Sequence, residues 1–546
     1  MSTFTISGKL IDLFQRRIYP ATITVSNGYI ADIKEIPTAP DQYILPGFID
    51  AHIHIESSML TPTAFAQMAV VHGTVATVSD PHEIANVCGM LGVQYMIDNA
   101  AQSPFKFFFG APSCVPATGF ETAGATLNAA AVEELLQNPD IWYLSEMMNY
   151  PGVLHNDPEV LAKIDAANRA GKPIDGHAPG LRGADAAAYA SHGITTDHEC
   201  FTLDEALDKI KAGMSIIIRE GSAAKNFEAL HTLLQTHPDK VMFCSDDKHP
   251  DELVVHHIND HVKRSLTLGY DLFDVLRAAS VNPAYHYDLP VGLLRLHEPA
   301  DFIVINSIER FDILQTYING ELVANNGGSA IQPVAVTPIN NFNTNKKDVS
   351  EFVVKATSAT PTIRVIEAVE GQLVTNCLQL PAKVVNGNIV SDTERDILKL
   401  AVVNRYQPDA PVAVAFIKNF GLKEGALAST VGHDCHNIIA VGVDDDSICA
   451  AVNELIDCKG GIAVAEDELK VHHMPLEVAG LMSIKDGHTV AAKYTKLDRL
   501  AKNLGTPLHA PFMTLSFMAL LVIPSLKLSD KGLFDGSKFE FTSVVV

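Results

Sequence analysis

His52 and His54 stand two residues apart in the apolar stretch Tyr43-Ile44-Leu45-Pro46-Gly47-Phe48-Ile49-Asp50-Ala51-His52-Ile53-His54-Ile55-Glu56. On an extended strand, residues two apart share a face. Both imidazoles therefore point one way, and Ile53 and Ile55 the other. Two imidazoles at the end of an oily strand suit a zinc-, iron- or manganese-type cation better than a core; two satisfied core histidines are the plain alternative. Four more ligand-type side chains follow apolar runs. Glu146 closes Ile141-Trp142-Tyr143-Leu144-Ser145, His177 follows Asp175-Gly176, His198 follows Ile194-Thr195-Thr196-Asp197, and Asp246 follows Val241-Met242-Phe243-Cys244-Ser245. Taken singly, Glu146 reads as a loop cap, His198 as a helix start and Asp246 as a helix N-cap.

These residues need elements that bring them together. From residue 44 to about 285, short apolar strands alternate with helical segments. Strands are expected at Ile44–Ile55, Thr74–Asp80, Phe105–Phe109, Ile141–Glu146, Pro173–His177, Ile194–His198, Ser215–Arg219 and Val241–Asp246. Helices are expected at Ala129–Leu136, Pro158–Ala170 and Leu203–Ala212. Eight such units predict a (β/α)8 TIM-like barrel, whose working site lies at the C-terminal strand ends. His52, His54, Glu146, His177, His198 and Asp246 would then meet at one mouth. Two cations there need an anion between them, which Glu146 can supply. His52, His54 and Asp246 would serve one ion, His177 and His198 the other. Bound water drops toward a pKa of roughly 7, and Asp246 is placed to take its proton and pass it to a leaving group. Asp197, Glu199 and Asp247 are outer-shell candidates. Ser79-Asp80-Pro81-His82-Glu83 ends the second strand, so His82 and Glu83 should reach the same mouth; a helix start with Pro81 at its first position is the alternative. Arg182 and Arg219 read first as solvated or ion-paired groups.

Flanking segments differ. Thr22–Val25 and Tyr29–Ile33 around Ser26-Asn27-Gly28 predict a hairpin, too small to stand alone. Residues 286–323 are β-rich again, so a small β domain is expected from residues 1–43 plus 286–325, with Asn325-Asn326-Gly327-Gly328-Ser329 as a junction. The barrel spans 44–285, and 330–546 forms a C-terminal mixed α/β domain with strands at Val412–Ile417, Asn437–Val443 and Gly460–Ala465 and a helix at Ser447–Asp457. There, His433-Asp434-Cys435-His436 reads as a second metal cluster, a loop over the main site or plain structure. The piece Phe512–Met518 reads as packing.

The chain has 546 residues, 47% of them apolar, and a formal net charge of -24. This supports sizeable cores and disfavours nucleic-acid binding. Eight cysteines without a CxxC pair point to a reducing, cytoplasmic setting. The first fifteen residues lack a secretory pattern, and Pro511–Leu526 is too short and interrupted to span a membrane. No GxxxxGK[ST] or HExxH motif is present.

Pro46-Gly47-Phe48-Ile49-Asp50-Ala51-His52-Ile53-His54 resembles the opening of the amidohydrolase superfamily, whose barrel members share the order His-x-His, bridging residue, His, His, Asp. His54-Ile55-Glu56-Ser57-Ser58-Met59, Ser79-Asp80-Pro81-His82-Glu83-Ile84-Ala85-Asn86-Val87, Gly176-His177-Ala178-Pro179-Gly180-Leu181, Asp246-Asp247-Lys248-His249-Pro250 and Gly432-His433-Asp434-Cys435-His436-Asn437 resemble the bacterial adenine deaminases within it. The likeness covers nearly the whole chain. It implies hydrolysis of adenine to hypoxanthine and ammonia by metal-activated hydroxide attack at C6, in purine salvage. It implies two divalent ions per subunit, Mn2+ or Fe2+ with Zn2+ as a further choice, and a homodimer. The ligands carried over are the same six, with Glu146 where many relatives bridge with a carboxylated lysine. Asp246 would move the proton, and His82 or Glu83 would assist at the ring nitrogen. A cyclic-amide hydrolase of the dihydroorotase or hydantoinase kind is the competing enzyme, and a metal-stabilised protein with a decayed site the competing non-enzyme.

Overall fold

The computed structural model describes residues 3–546. Two groups of parallel strands carry the first half of the chain. One runs Phe48–Ile53, Thr74–Ser79, Lys106–Ala111, Ile141–Met147 and Ile174–Gly176; the other runs Thr196–Asp197, Ser215–Arg219 and Val241–Cys244. Parallel bridges Ile174–Ile194 and Ile53–Asp246 join the two groups. The eight strands thus form one curled parallel sheet, with helices such as Ala129–Gln137, Pro158–Ala170 and Leu203–Lys211 between them. Asp50 fastens the last strand to the first: it accepts from the Ser245 N–H at 3.0 Å, and His257 Nε2 lies 2.8 Å from its other oxygen.

The strand expected over Ile44–Ile55 divides at Gly47. Tyr43–Pro46 pairs with Thr3–Asp12 and Phe302–Ile305 in a separate sheet, and only Phe48–Ile53 joins the parallel one. A Cβ at Gly47 would lie 2.3 Å from Val75 Cγ1. Glycine therefore lets the chain cross from one sheet to the next against the second strand. His54 lies just past the strand, in the β region at φ −96°, ψ 99°.

The separate sheet has eight strands drawn from both flanks, in the order Gly328–Ser329, Glu321–Asn325, Ile313–Ile318, Phe302–Ile305, Tyr43–Pro46, Thr3–Asp12, Arg17–Ser26 and Tyr29–Glu35. Its last two strands turn at Asn27 and Gly28, both with positive φ (56° and 87°), as a tight Asn-Gly hairpin requires. Asn325–Ser329, expected as a junction, is instead another such turn: Asn326 and Gly327 reverse the chain between Glu321–Asn325 and Gly328–Ser329.

The remaining chain builds a second eight-stranded sheet, ordered Thr375–Pro381, Thr362–Ala368, Ala413–Lys418, Ile397–Val403, Ile438–Gly442, Ala426–Ser429, Gly461–Ala465 and Val471–Pro475. Neighbours are antiparallel apart from Thr362–Ala368 beside Ala413–Lys418. Helix Asp445–Cys458 is capped by Asp444, whose carboxylate accepts from Ser447 N at 2.7 Å, and it buries Ile448, Val452 and Leu455. Phe512, Met513 and Met518 are buried, in keeping with packing. Among the described residues, no helix is long and apolar enough to cross a membrane.

Candidate active site

Every side chain expected at the mouth lies there, and every one is buried. Glu146 occupies the centre. Its Oε2 is 2.9 Å from His177 Nδ1, 3.0 Å from His198 Nε2 and 3.7 Å from His52 Nε2; its Oε1 is 3.7 Å from His54 Nε2 and 3.5 Å from His82 Nδ1. His52 Nε2 and His54 Nε2 are 3.2 Å apart, and Asp246 Oδ1 lies 3.4 Å from His54 Nε2. Asp246 sits at φ 51°, a left-handed conformation that costs a non-glycine residue energy. Its N–H donates to the His52 carbonyl at 3.0 Å, so the backbone link between last and first strands also aims the carboxylate.

Outer contacts orient these groups. His54 Nδ1 lies 3.2 Å from the Asp80 carbonyl, so this nitrogen holds a proton and Nε2 faces inward. The Tyr189 hydroxyl accepts from His177 N at 3.1 Å and donates to the Met147 carbonyl at 2.7 Å, spanning the fourth and fifth strand ends. Asp197 does not touch the His198 ring; it accepts from Ala178 N at 3.0 Å and Glu199 N at 2.8 Å, and Lys209 Nζ is 3.0 Å away. Its role is to tie together the loops that carry His177 and His198. Glu199 faces inward, 3.5 Å from His198 Nε2 and 3.7 Å from His177 Nδ1. Arg219 is buried against both Glu199 and Asp246, while Arg182 is a surface residue paired with Asp208 at 3.0 Å.

His82 stands between two carboxylates. Its Nδ1 is 3.1 Å from Asp80 Oδ2 and its Nε2 is 3.7 Å from Asp434 Oδ1. Burial alone would lower its pKa, but Asp80 and Asp434 override this and hold it well above the ordinary value. Glu83 shows the reverse balance: burial works to raise it, while His433, at 3.0 Å, and His436 pull it well below the usual carboxylate range. The Ser57 hydroxyl lies 3.2 Å from Glu83 and 2.6 Å from Asp247, and burial followed by repulsion from Asp246 raises Asp247 to about 6.

The segment His433–His436 therefore belongs to this site, reaching in from the last part of the chain. Leu373, Phe517 and Leu520 also line it. Motif spacing could flag His433 and Asp434, because four ligand-type residues cluster there. Nothing in the local pattern distinguishes Leu373, Phe517 or Leu520 from ordinary core residues. Between all these groups the open space is 20 Å3, enough for about one water molecule. A larger cleft of 860 Å3, bordered by Glu367, Asp396, Lys502 and His509, contains none of them.

The donor set fits divalent cations. His52, His54 and Asp246, then His52, Glu146 and His198, then His177, His198 and Glu199 each bring three ligand atoms within 4.8 Å of one another. The Asp80 carbonyl engages His54 Nδ1, which leaves His54 Nε2, 3.2 Å from His52 Nε2, to face the cluster as a metal ligand would. Imidazole and carboxylate donors suit zinc, iron and manganese alike.

Comparison with known proteins agrees with this geometry. Residues 43–323 match the amidohydrolase family, and residues 372–540 match the adenine deaminase C-terminal domain. A protein of Sulfurovum sp. (strain NBC37-1) named adenine deaminase is 55% identical over 97% of this chain and 98% of its own length. One of the same name from Salinibacter ruber is 54% identical over 99% and 98%, and one from Borreliella burgdorferi 49% identical over 99% and 100%. With its curled parallel sheet, its buried cluster of histidines and carboxylates, and this likeness along the full length of both chains, the protein belongs to the amidohydrolase family and, within it, to the adenine deaminases.

Proposed function

We propose that this chain hydrolyses adenine to hypoxanthine and ammonia at the mouth of a closed (β/α)8 barrel. The observation that supports this most directly is the gathering of His52, His54, His177, His198 and Asp246 with Glu146 in one buried cluster, in a chain about half identical to adenine deaminases throughout. In this reading residues 44–285 form the barrel, 1–43 with 286–325 the flanking β domain, and 330–546 the C-terminal α/β domain. His52, His54 and Asp246 hold one divalent ion, His177 and His198 the other, and Glu146 bridges them. Mn2+ or Fe2+ is the preferred pair, with Zn2+ able to replace them. When bound, such ions bring water to a pKa of roughly 7 and so supply a nucleophile at neutral pH.

The chain's own residues do the rest. His82, braced between Asp80 and Asp434, presents a proton toward a ring nitrogen and quenches the charge that builds there as C6 is attacked. Glu83, paired with His433, stays an acceptor for a purine N–H. Asp246 takes one proton of water and passes it to the exocyclic nitrogen, which leaves as ammonia; the second, left on the C6 oxygen, returns to His82 as the carbonyl forms, so that one adenine and one water yield one hypoxanthine and one ammonia. Leu373, Phe517 and Leu520 cover the site and keep bulk water out. We further propose a cytoplasmic homodimer without nucleic-acid or membrane partners.

The test is ammonia release from adenine by protein stripped of metal and reconstituted separately with manganese, iron and zinc. Two ions per chain and adenine turnover are expected. Asp246→Asn should lower kcat by about 10²-fold or more, and His177→Ala should lose one ion per chain together with activity. Unchanged turnover and metal content in both variants would overturn the assignment.

A further inference from the structure

Lys527 lies on the strand Leu526–Ser529 and is fully buried. Its Nζ donates to the Leu373 carbonyl at 2.6 Å and to the Phe517 carbonyl at 2.9 Å. Among the described residues no carboxylate pairs with it, and burial brings its pKa down to about 7. A lone ammonium in a dry interior carries a desolvation cost that a methionine of similar length would not. What the ammonium does is join two segments distant in sequence, and both of the residues it holds face the site.

Those residues form the site's apolar wall. Phe517 stacks on His433 with ring centroids 4.4 Å apart and planes 10° apart, and Leu520 lies in the same lining. His433 N donates to the Ser516 carbonyl at 3.1 Å, so the His433 loop moves with Phe517. Thr375 fastens the Leu373 segment to the Lys527 strand through Leu526, its hydroxyl donating to the Leu526 carbonyl at 2.8 Å. A flat heteroaromatic ring facing polar ligands on one side needs an apolar surface on the other. The placement of that surface decides whether the reacting carbon is in line for attack.

We propose that Lys527 is a positioning residue for the purine: by holding the Leu373 and Phe517 carbonyls together, it sets the wall against which the flat ring lies. This rests on the reading of the site as that of an adenine aminohydrolase, and turnover of adenine by the reconstituted wild-type protein tests that reading separately. The clamp is tested with Lys527→Met, Phe517→Ala and the double variant, each reconstituted with manganese. Both single variants should raise KM for adenine about tenfold, the scale of a displaced apolar contact. Ions per chain should match the wild type, and kcat should stay within about threefold. The double variant should be no worse than the poorer single one, because both act on one wall. A role in folding alone would lower thermal stability and active fraction without moving KM. Wild-type KM in Lys527→Met, or multiplied effects in the double variant, would overturn the proposal. If Lys527→Met does not fold, wild-type KM in Phe517→Ala overturns it alone.

Discussion

Arg219 shows how the site balances its charge residue by residue. Glu146, Glu199 and Asp246 are buried around His198 Nε2, at 3.0, 3.5 and 3.9 Å from it, and the buried guanidinium contacts the latter two directly. For Asp246, burial alone would raise the pKa; Arg219, then His54, His198 and His52, hold it well below the ordinary carboxylate value. Removing one member of such a buried pair costs about 3–5 kcal/mol, because its partner is left uncompensated. Divalent ions would supply the missing positive charge. Arg219→Met should therefore destabilise metal-stripped protein by about that amount and the reconstituted protein by clearly less. Denaturant unfolding in chelator and in manganese measures both. Equal losses in the two conditions would show that Arg219 compensates a charge unrelated to the ions.

At the scale of the elements, the site depends on how closely adjacent strands approach. Gly176 immediately precedes His177, and a Cβ there would lie 2.4 Å from the Thr196 carbonyl on the neighbouring strand. Gly176→Ala must push the fifth strand from the sixth and so separate His177 from His198. Disturbing the groups that aim metal ligands typically costs 10–100-fold in affinity, so about that loss is expected, read by competition against a metal-sensitive dye. Much of this element scale was legible in the sequence. Ser215–Arg219 and Pro158–Ala170 have the expected bounds, and the six residues proposed as ligands were picked out by which residue ends each apolar run. What was not legible depended on contacts between distant segments. The break at Gly47 comes from Val75 lying against it, the pairing of Gly328–Ser329 beyond the Asn326-Gly327 turn from a strand edge being available, and the inward aim of Arg219 from the buried carboxylates of Glu199 and Asp246 that it contacts. A local pattern carries none of these.

At the scale of the whole molecule, contacts must fix the last part of the chain over the C-terminal ends of the parallel strands, since His433, Asp434 and Phe517 come from there. Residues 112–128, between the third strand and helix Ala129–Gln137, reach into it. The Phe120 ring packs on Phe534 at 4.9 Å, Thr122 N donates to Asp530 at 2.9 Å, and Asn437 donates to the Thr122 carbonyl at 2.9 Å. Glu121 lies within this joint, its Oε1 accepting from the Thr118 hydroxyl at 3.0 Å. Burial, then the nearby Asp434, raise its pKa from 4.5 to about 8. The sign follows from proton counting. Between those two values the folded chain holds a proton that the unfolded chain has released, so folding stability falls as pH rises through the window, by roughly 1.4 kcal/mol per unit for one such group. Below 4.5 both states are protonated and above about 8 neither is, so the contribution is constant outside it. Glu121→Gln keeps the shape and removes the titration. Its melting temperature relative to the wild type should therefore climb between pH 5 and pH 8 and level off beyond, with its adenine KM at neutral pH unchanged, because a protonated Glu121 and a glutamine present the same neutral face to the joint. A constant difference across that range would mean that Glu121 is ionised in the folded protein and that Asp434 faces a second negative charge at the joint.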